Sequence, residues 1–152
     1  MSSRLFLEIR EKQGLAYDIR SFTTQHLDTG SFVIYAGVDP KRTTTTVASI
    51  MEQLSMVKDG VPEGELAKVK ELAKGRLLLR MEDSRNVAGW MGAQELLTGR
   101  ILGVDEVLAG IDAVTTADIK RVASKLLANG RLNMAVVGPI KNRAALSKLL
   151  KL

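Results

Sequence analysis

Residues 2–17 read Ser2-Ser3-Arg4-Leu5-Phe6-Leu7-Glu8-Ile9-Arg10-Glu11-Lys12-Gln13-Gly14-Leu15-Ala16-Tyr17. Ser2 or Ser3 can cap a helix, because a short hydroxyl side chain accepts from an otherwise unpaired amide of the first turn. Leu5 and Ile9 follow at i, i+4 with Phe6 beside them, so the spacing predicts a helix over roughly 4–13 with one apolar side. Gly14 is a natural terminator for it. The pattern then changes to a strand over 15–24 that ends on two β-branched threonines, Thr23 and Thr24.

Beyond this stretch, residues 25–30 (Gln25-His26-Leu27-Asp28-Thr29-Gly30) read as a turn, and Ser31 to Val38 is the clearest strand in the chain. The two strands predict an antiparallel hairpin. Asp39-Pro40 then sets a helix start, with Asp as cap and Pro at the first position. Val47, Ile50, Met51, Leu54 and Val57 continue it at helical spacing up to Gly60. Pro62 opens another helix, with Glu63 and Glu65 at its positive end. A break is expected at Asp83-Ser84, then a helix to Leu97 stopped by Gly99, and a short helix over 105–113. Thr115 caps the next, over 116–128, with Ile119, Val122, Ala123, Leu126 and Leu127 facing inward. Asn129-Gly130 is a turn, 132–137 a last strand and 141–152 a closing helix. Strands and helices that segregate in this way predict an α+β fold: an antiparallel-biased sheet with helices packed on one face.

The bulk numbers agree with one globular domain spanning 1–152. The chain has 152 residues, of which 45% are hydrophobic and 26% charged, so it can bury a core. Its net charge is +5, but aromatics make up only 4%, and base recognition needs aromatics beside the basic groups. A solvated basic surface is therefore favoured over a nucleic-acid site. No apolar run approaches the roughly 20 residues that span a bilayer. A soluble compartment of a bacterium, cytoplasm or periplasm, is expected.

Self-contained chemistry is scarce. There are no cysteines and one histidine, His26, so thiolate metal sites and Cys nucleophiles are excluded. Neither H-E-x-x-H nor H-x-x-E-H occurs, nor G-x-S-x-G, nor a P-loop, nor G-x-G-x-x-G. Glu82-Asp83 and Asp105-Glu106 are adjacent acids at helix breaks, where caps outnumber ligands. Gly89-Trp90-Met91-Gly92 lies in a helical pattern and reads as close packing around the sole tryptophan.

The opening segment nevertheless carries information beyond its helix. It resembles the S-S-R-L-F-x-E-x-R-E-x-x-G-L-A-Y signature of the pitrilysin and mitochondrial-processing-peptidase family, the inverted zincins. Gly30-Ser31-Phe32 with Tyr35 to Pro40 resembles that family's second strand and following helix cap. Gly60-Val61-Pro62 with Glu65-Leu66, Leu96 to Arg100, Ile111 to Thr115, and Val136 to Pro139 resemble later landmarks in the same order.

The resemblance implies a C-terminal, zinc-free domain of a zinc metalloendopeptidase. Its partner would be a zinc-bearing peptidase domain or subunit, the two enclosing a chamber that takes a peptide substrate. It implies no cofactor in this chain, with zinc in a parent or partner protein. It maps an Arg and a Tyr that face the chamber onto Arg10 and Tyr17: substrate-binding for both, and an oxyanion donor for Tyr17. Taken as residues alone, the same pair favours a surface arginine beside Glu8 or Glu11 and a strand-edge core tyrosine. The alternative within the family is a non-catalytic structural core subunit. The family domain's opening strands would precede Ser2, so an N-terminally truncated piece that self-associates through uncovered edges is expected.

Overall fold

A computed structural model describes residues 3–140 and 142–152. The chain falls into two compact units: residues up to Asp59 together with Arg121–Leu152, and Gly60–Lys120.

The first unit is built on a hairpin, β1 (Ala16–Gln25) and β2 (Gly30–Val38), paired antiparallel. A helical segment, Phe6–Lys12, precedes it, and α1 (Thr43–Asp59) follows. Ser3 caps the first segment, its Oγ accepting from the Phe6 N–H at 3.3 Å. Asp39 caps a 3-10 turn, Pro40–Arg42, that leads into α1. The core gathers Ile9, Leu15, Ala16 and Ile19, with Leu5, Ile34, Ala36, Val38 and Ile50 packed against it. Ile19 faces Ala36 and Ser21 faces Ile34 across the ribbon, so these positions share the face that the helices cover. On the opposite face Arg20, Phe22 and Tyr35 are exposed, with the Arg20 guanidinium 5.0 Å from the Tyr35 ring.

The second unit is helical: α2 (Glu63–Met81), α3 (Ser84–Thr98) and α4 (Val104–Ala113), with α2 packed on both of the others. Lys70 donates to the Asp112 carbonyl at 2.8 Å, and Lys74 bridges Asp112 at 2.9 Å and Glu71 at 2.6 Å, tying α2 to α4. α5 (Thr116–Leu126) starts here on a reciprocal cap: Thr115 Oγ1 accepts from the Asp118 N–H at 3.2 Å, and Asp118 Oδ2 accepts from the Thr115 N–H at 3.1 Å. α5 runs on into the first unit, where α6 (Arg143–Leu149) packs on α1.

The α+β class holds, and so do the hairpin, the breaks at Gly60, Asp83 and Gly99, and the caps at Asp39, Asp83 and Thr115. Four expectations do not. The first helix is not a plain α-helix over 4–13: it is wound wider over Phe6–Lys12, in the π form. The predicted strand over 132–137 forms no ladder among the described residues, although Leu132 and Met134 are half-buried and alternate with exposed Asn133 and Ala135. It has the period of a strand but no neighbouring strand to exchange hydrogen bonds with. Of the inward set predicted over 116–128, only Ala123 and Leu127 are buried, while Ile119 is half-buried and Val122 and Leu126 are exposed. Finally, Gly89 and Gly92 do not mark tight packing around Trp90, since a Cβ at either would meet nothing within 4 Å. The closing helix was predicted from Lys141, which lies outside the described residues, as do Met1 and Ser2.

Candidate functional site

Arg10 and Tyr17 flank a single turn, and its construction explains how each is presented. The widened helix ends on Gly14, which takes the left-handed conformation at φ +59°. Two bonds wrap around that glycine: the Leu15 N–H donates to the Ile9 carbonyl at 2.9 Å, and the Gly14 N–H to the Arg10 carbonyl at 3.1 Å. This is the pattern of a Schellman cap enlarged by one residue, as a π turn requires. The chain is thereby reversed between a helix end and a strand start.

Arg10 is in the last turn of the helical segment. Its guanidinium lies over the Phe6 ring, 4.8 Å from the centroid, and Nε is 3.8 Å from Glu11 Oε1. Glu8 is engaged elsewhere, at 2.5 Å from Lys12 Nζ. Of the two carboxylates considered for Arg10, only Glu11 is near it, and at that distance the pair is a loose surface contact. The aromatic stack holds the side chain's direction and leaves a fork of N–H donors toward solvent.

Tyr17 is the extra residue of a β-bulge. Ala16 pairs with Val38 and Asp18 with Gly37, neighbours on β2, so no β2 residue is left opposite Tyr17. A regular strand would place Ala16 and Ile19 on opposite faces, yet both are buried; the bulge restores them to one face and turns Tyr17 outward, 86% exposed. Tyr17 and Arg10 are thus both exposed, on the two sides of one closed turn. The residues-alone reading of Tyr17 as a strand-edge core residue does not fit that exposure.

Behind the turn stands a feature the sequence analysis missed. Arg42 Nη1 donates to the Gly14 carbonyl at 3.1 Å, Thr46 Oγ1 lies 3.4 Å from the Leu15 carbonyl, and Ser49 Oγ is 3.2 Å from Gln13 Oε1. Thr46 is 1% exposed, and Thr43, Ser49 and Gln53 are buried with it. The signal was there: positions 42, 46, 49 and 53 are spaced 4, 3 and 4, one face of a helix. A reading keyed to apolar residues passes over a buried stripe made of Thr, Ser and Gln.

The other candidates have structural roles. His26 is exposed in the hairpin turn, where its backbone N–H donates to the Thr29 carbonyl at 2.9 Å. Asp83 Oδ1 accepts from the Arg85 N–H at 2.7 Å as the cap of α3. Glu106 pairs with Arg100. A cavity of about 490 Å³ lies against α6, lined by Met134, Val136, Ile140 and Leu146 among others, and it contains neither Arg10 nor Tyr17. Among the described residues no group of three His, Cys, Asp or Glu could hold a metal ion, so the donors present do not fit zinc. Among the same residues no helix is long and apolar enough to cross a membrane.

Comparison with known proteins points one way. Residues 1–72 match the family model described as "Peptidase M16 inactive domain". The chain is 36% identical to an "uncharacterized zinc protease" of Streptomyces coelicolor over 95% of its own length and 32% of that protein's. Among solved structures it resembles a conserved protein from Enterococcus faecalis, at 27% identity and TM-score 0.71, covering 81% of this chain and 29% of that one. It also resembles a protease from Helicobacter pylori, at 25% identity and TM-score 0.65, covering 82% and 30%. The chain thus spans about a third of the length of the relatives it matches.

Proposed function

We propose, from the premise that this chain belongs to the M16 peptidase family through its inactive, zinc-free domain, that it supplies the substrate-holding wall of a zinc metalloendopeptidase. Zinc would belong to another segment of the parent protein or to a partner subunit, because one histidine and no cysteine cannot build its site here. The observation that carries the reading is the bulged, 86% exposed Tyr17, separated from the exposed Arg10 by one closed turn.

The chemistry open to this pair is defined by its donors. The Arg10 guanidinium offers a planar fork to the carbonyls of an extended peptide and fixes its register. The Tyr17 phenol donates to the scissile carbonyl oxygen as negative charge develops on it. A donor so placed acts on the transition state more than on the ground state, which is what accelerates the step. Neither residue needs to move a proton to water or metal for this role.

The test is cleavage of a peptide by this chain assembled with a zinc-bearing domain of the family, compared with Tyr17→Phe and Arg10→Ala. The family's alternative role, a non-catalytic core subunit, has the same fold, and both variants would then be silent. Self-association is part of the same proposal. Among the described residues the sheet has two strands, so both outer edges stay unpaired, and Phe22 and Phe32 are exposed. A monomer in equilibrium sedimentation would contradict that part alone.

A further inference from the structure

The turn between Arg10 and Tyr17 is held from outside itself, at three consecutive residues, by α1 and the 3-10 turn that leads into it. Gln13, Gly14 and Leu15 meet Ser49, Arg42 and Thr46 respectively, partners 28 to 36 positions away in the chain. These three contacts differ in strength. The Thr46 hydroxyl has one hydrogen and two acceptors, the Arg42 carbonyl at 3.0 Å and the Leu15 carbonyl at 3.4 Å, so its shorter bond is within its own helix. The Ser49 bond reaches a side chain and leaves the turn's backbone alone. Only Arg42 makes a charge-assisted bond to the turn's backbone, and it does so at the left-handed glycine where the chain reverses. Arg42 is itself held: its N–H donates to the Asp39 carbonyl at 2.8 Å in the capped turn that starts α1.

We propose that Arg42 is the positioning residue of the Arg10–Tyr17 site, setting the direction of the Tyr17 side chain through the Gly14 carbonyl, with Thr46 as a weaker second anchor. The inference rests on the substrate role proposed above for Arg10 and Tyr17. Arg42 has no contact with substrate in this scheme. It acts by restricting the rotation of the Gly14–Leu15 peptide, whose tilt sets where the bulge directs the Tyr17 ring. A flexible donor loses rate by spreading over poses, so the effect falls on kcat more than on KM.

Two readouts test this separately. On the chain itself, 3-fluorotyrosine incorporation gives two fluorine signals, Tyr17 and Tyr35. Arg42→Met keeps the aliphatic stem and removes the donor. It should shift or broaden the Tyr17 signal and leave Tyr35 unchanged. Movement of both signals together, or of neither, overturns the inference. Thr46→Val, nearly isosteric, should act in the same direction more weakly and serves if Arg42→Met does not fold. In the assembled peptidase, Arg42→Met should lower kcat by about tenfold or more, the worth of a charge-assisted bond. In the Tyr17→Phe background the same substitution should change kcat by less than about twofold, because residues acting as a unit are not additive. Full additivity overturns the inference while leaving the role of Tyr17 intact. Unimpaired cleavage by Tyr17→Phe overturns the substrate role, and the fluorine signals still decide whether Arg42 holds the turn.

Discussion

The Leu15 N–H reaches back to the carbonyl of Ile9 at 2.9 Å, and Gly14 sits between them in the left-handed conformation. The bond closes a helix end and starts a strand in the same step. It also buries Ile9 and Leu15 side by side in the core while Arg10 and Tyr17 face out.

That geometry makes Gly14 sensitive to substitution. A Cβ there would meet nothing within 4 Å, so the cost of Gly14→Ala is the backbone's alone. For an L-residue held left-handed this is about 1–2 kcal/mol. Gly14→Asn should lose less, because asparagine tolerates that conformation. Urea unfolding of the three proteins should rank them Gly, Asn, Ala; a more stable Ala variant would mean that the turn is not held left-handed in solution.

Ile9 is fully buried at the centre of the first unit. Ile9→Ala removes its packing from Leu15, Ala16 and Ile19 and should cost about 2–5 kcal/mol in the same unfolding experiment. A loss under about 1 kcal/mol would imply that the helical segment is not docked on the hairpin.

In the second unit, the carboxylates of Glu71 and Asp112 hold the Lys74 ammonium above its ordinary pKa of 10.5. A raised folded-state pKa stabilises the fold below the unfolded value and loses that stabilisation as pH rises through the folded value. The stability gap between the native protein and Lys74→Met should therefore be constant at neutral pH and narrow above about pH 10.5. A gap that widens with alkaline pH would contradict the ion-pair assignment.

Zinc titration of the chain alone, followed by calorimetry, should show no tight stoichiometric site. His26 is a single imidazole in an exposed turn, one ligand where zinc takes three or four. Tight binding abolished by His26→Ala would require ligands that the fold does not assemble.

How much of this was legible beforehand varies with the kind of signal. Helix starts and stops were readable because Asp39, Asp83, Thr115, Gly60 and Gly99 act through local geometry, within a few residues of themselves. The hairpin was readable from Ser31 to Val38, whose side chains suit one pleated ribbon. The π widening of Phe6–Lys12 was not, because one added residue per turn leaves the Leu5–Ile9 spacing intact. The strand predicted over 132–137 failed because a ladder depends on a distant partner that local pattern does not report. At the candidate site Arg10 and Tyr17 come from a resemblance, since their residue types alone favour a surface ion pair and a core tyrosine. The bulge at Tyr17 and the Arg42 bond to Gly14 are tertiary facts, set by register and by a helix 28 residues downstream.

Tyr17 is proposed to touch the reacting carbonyl. The direct measurement is kcat for peptide cleavage by the assembled, zinc-bearing peptidase with Tyr17→Phe, which removes one oxygen from a side chain that is 86% exposed and leaves the fold's core untouched. A lost oxyanion donor predicts a fall in kcat of about 10²–10³ with unchanged unfolding behaviour. Native kcat in Tyr17→Phe would rule out that role for Tyr17.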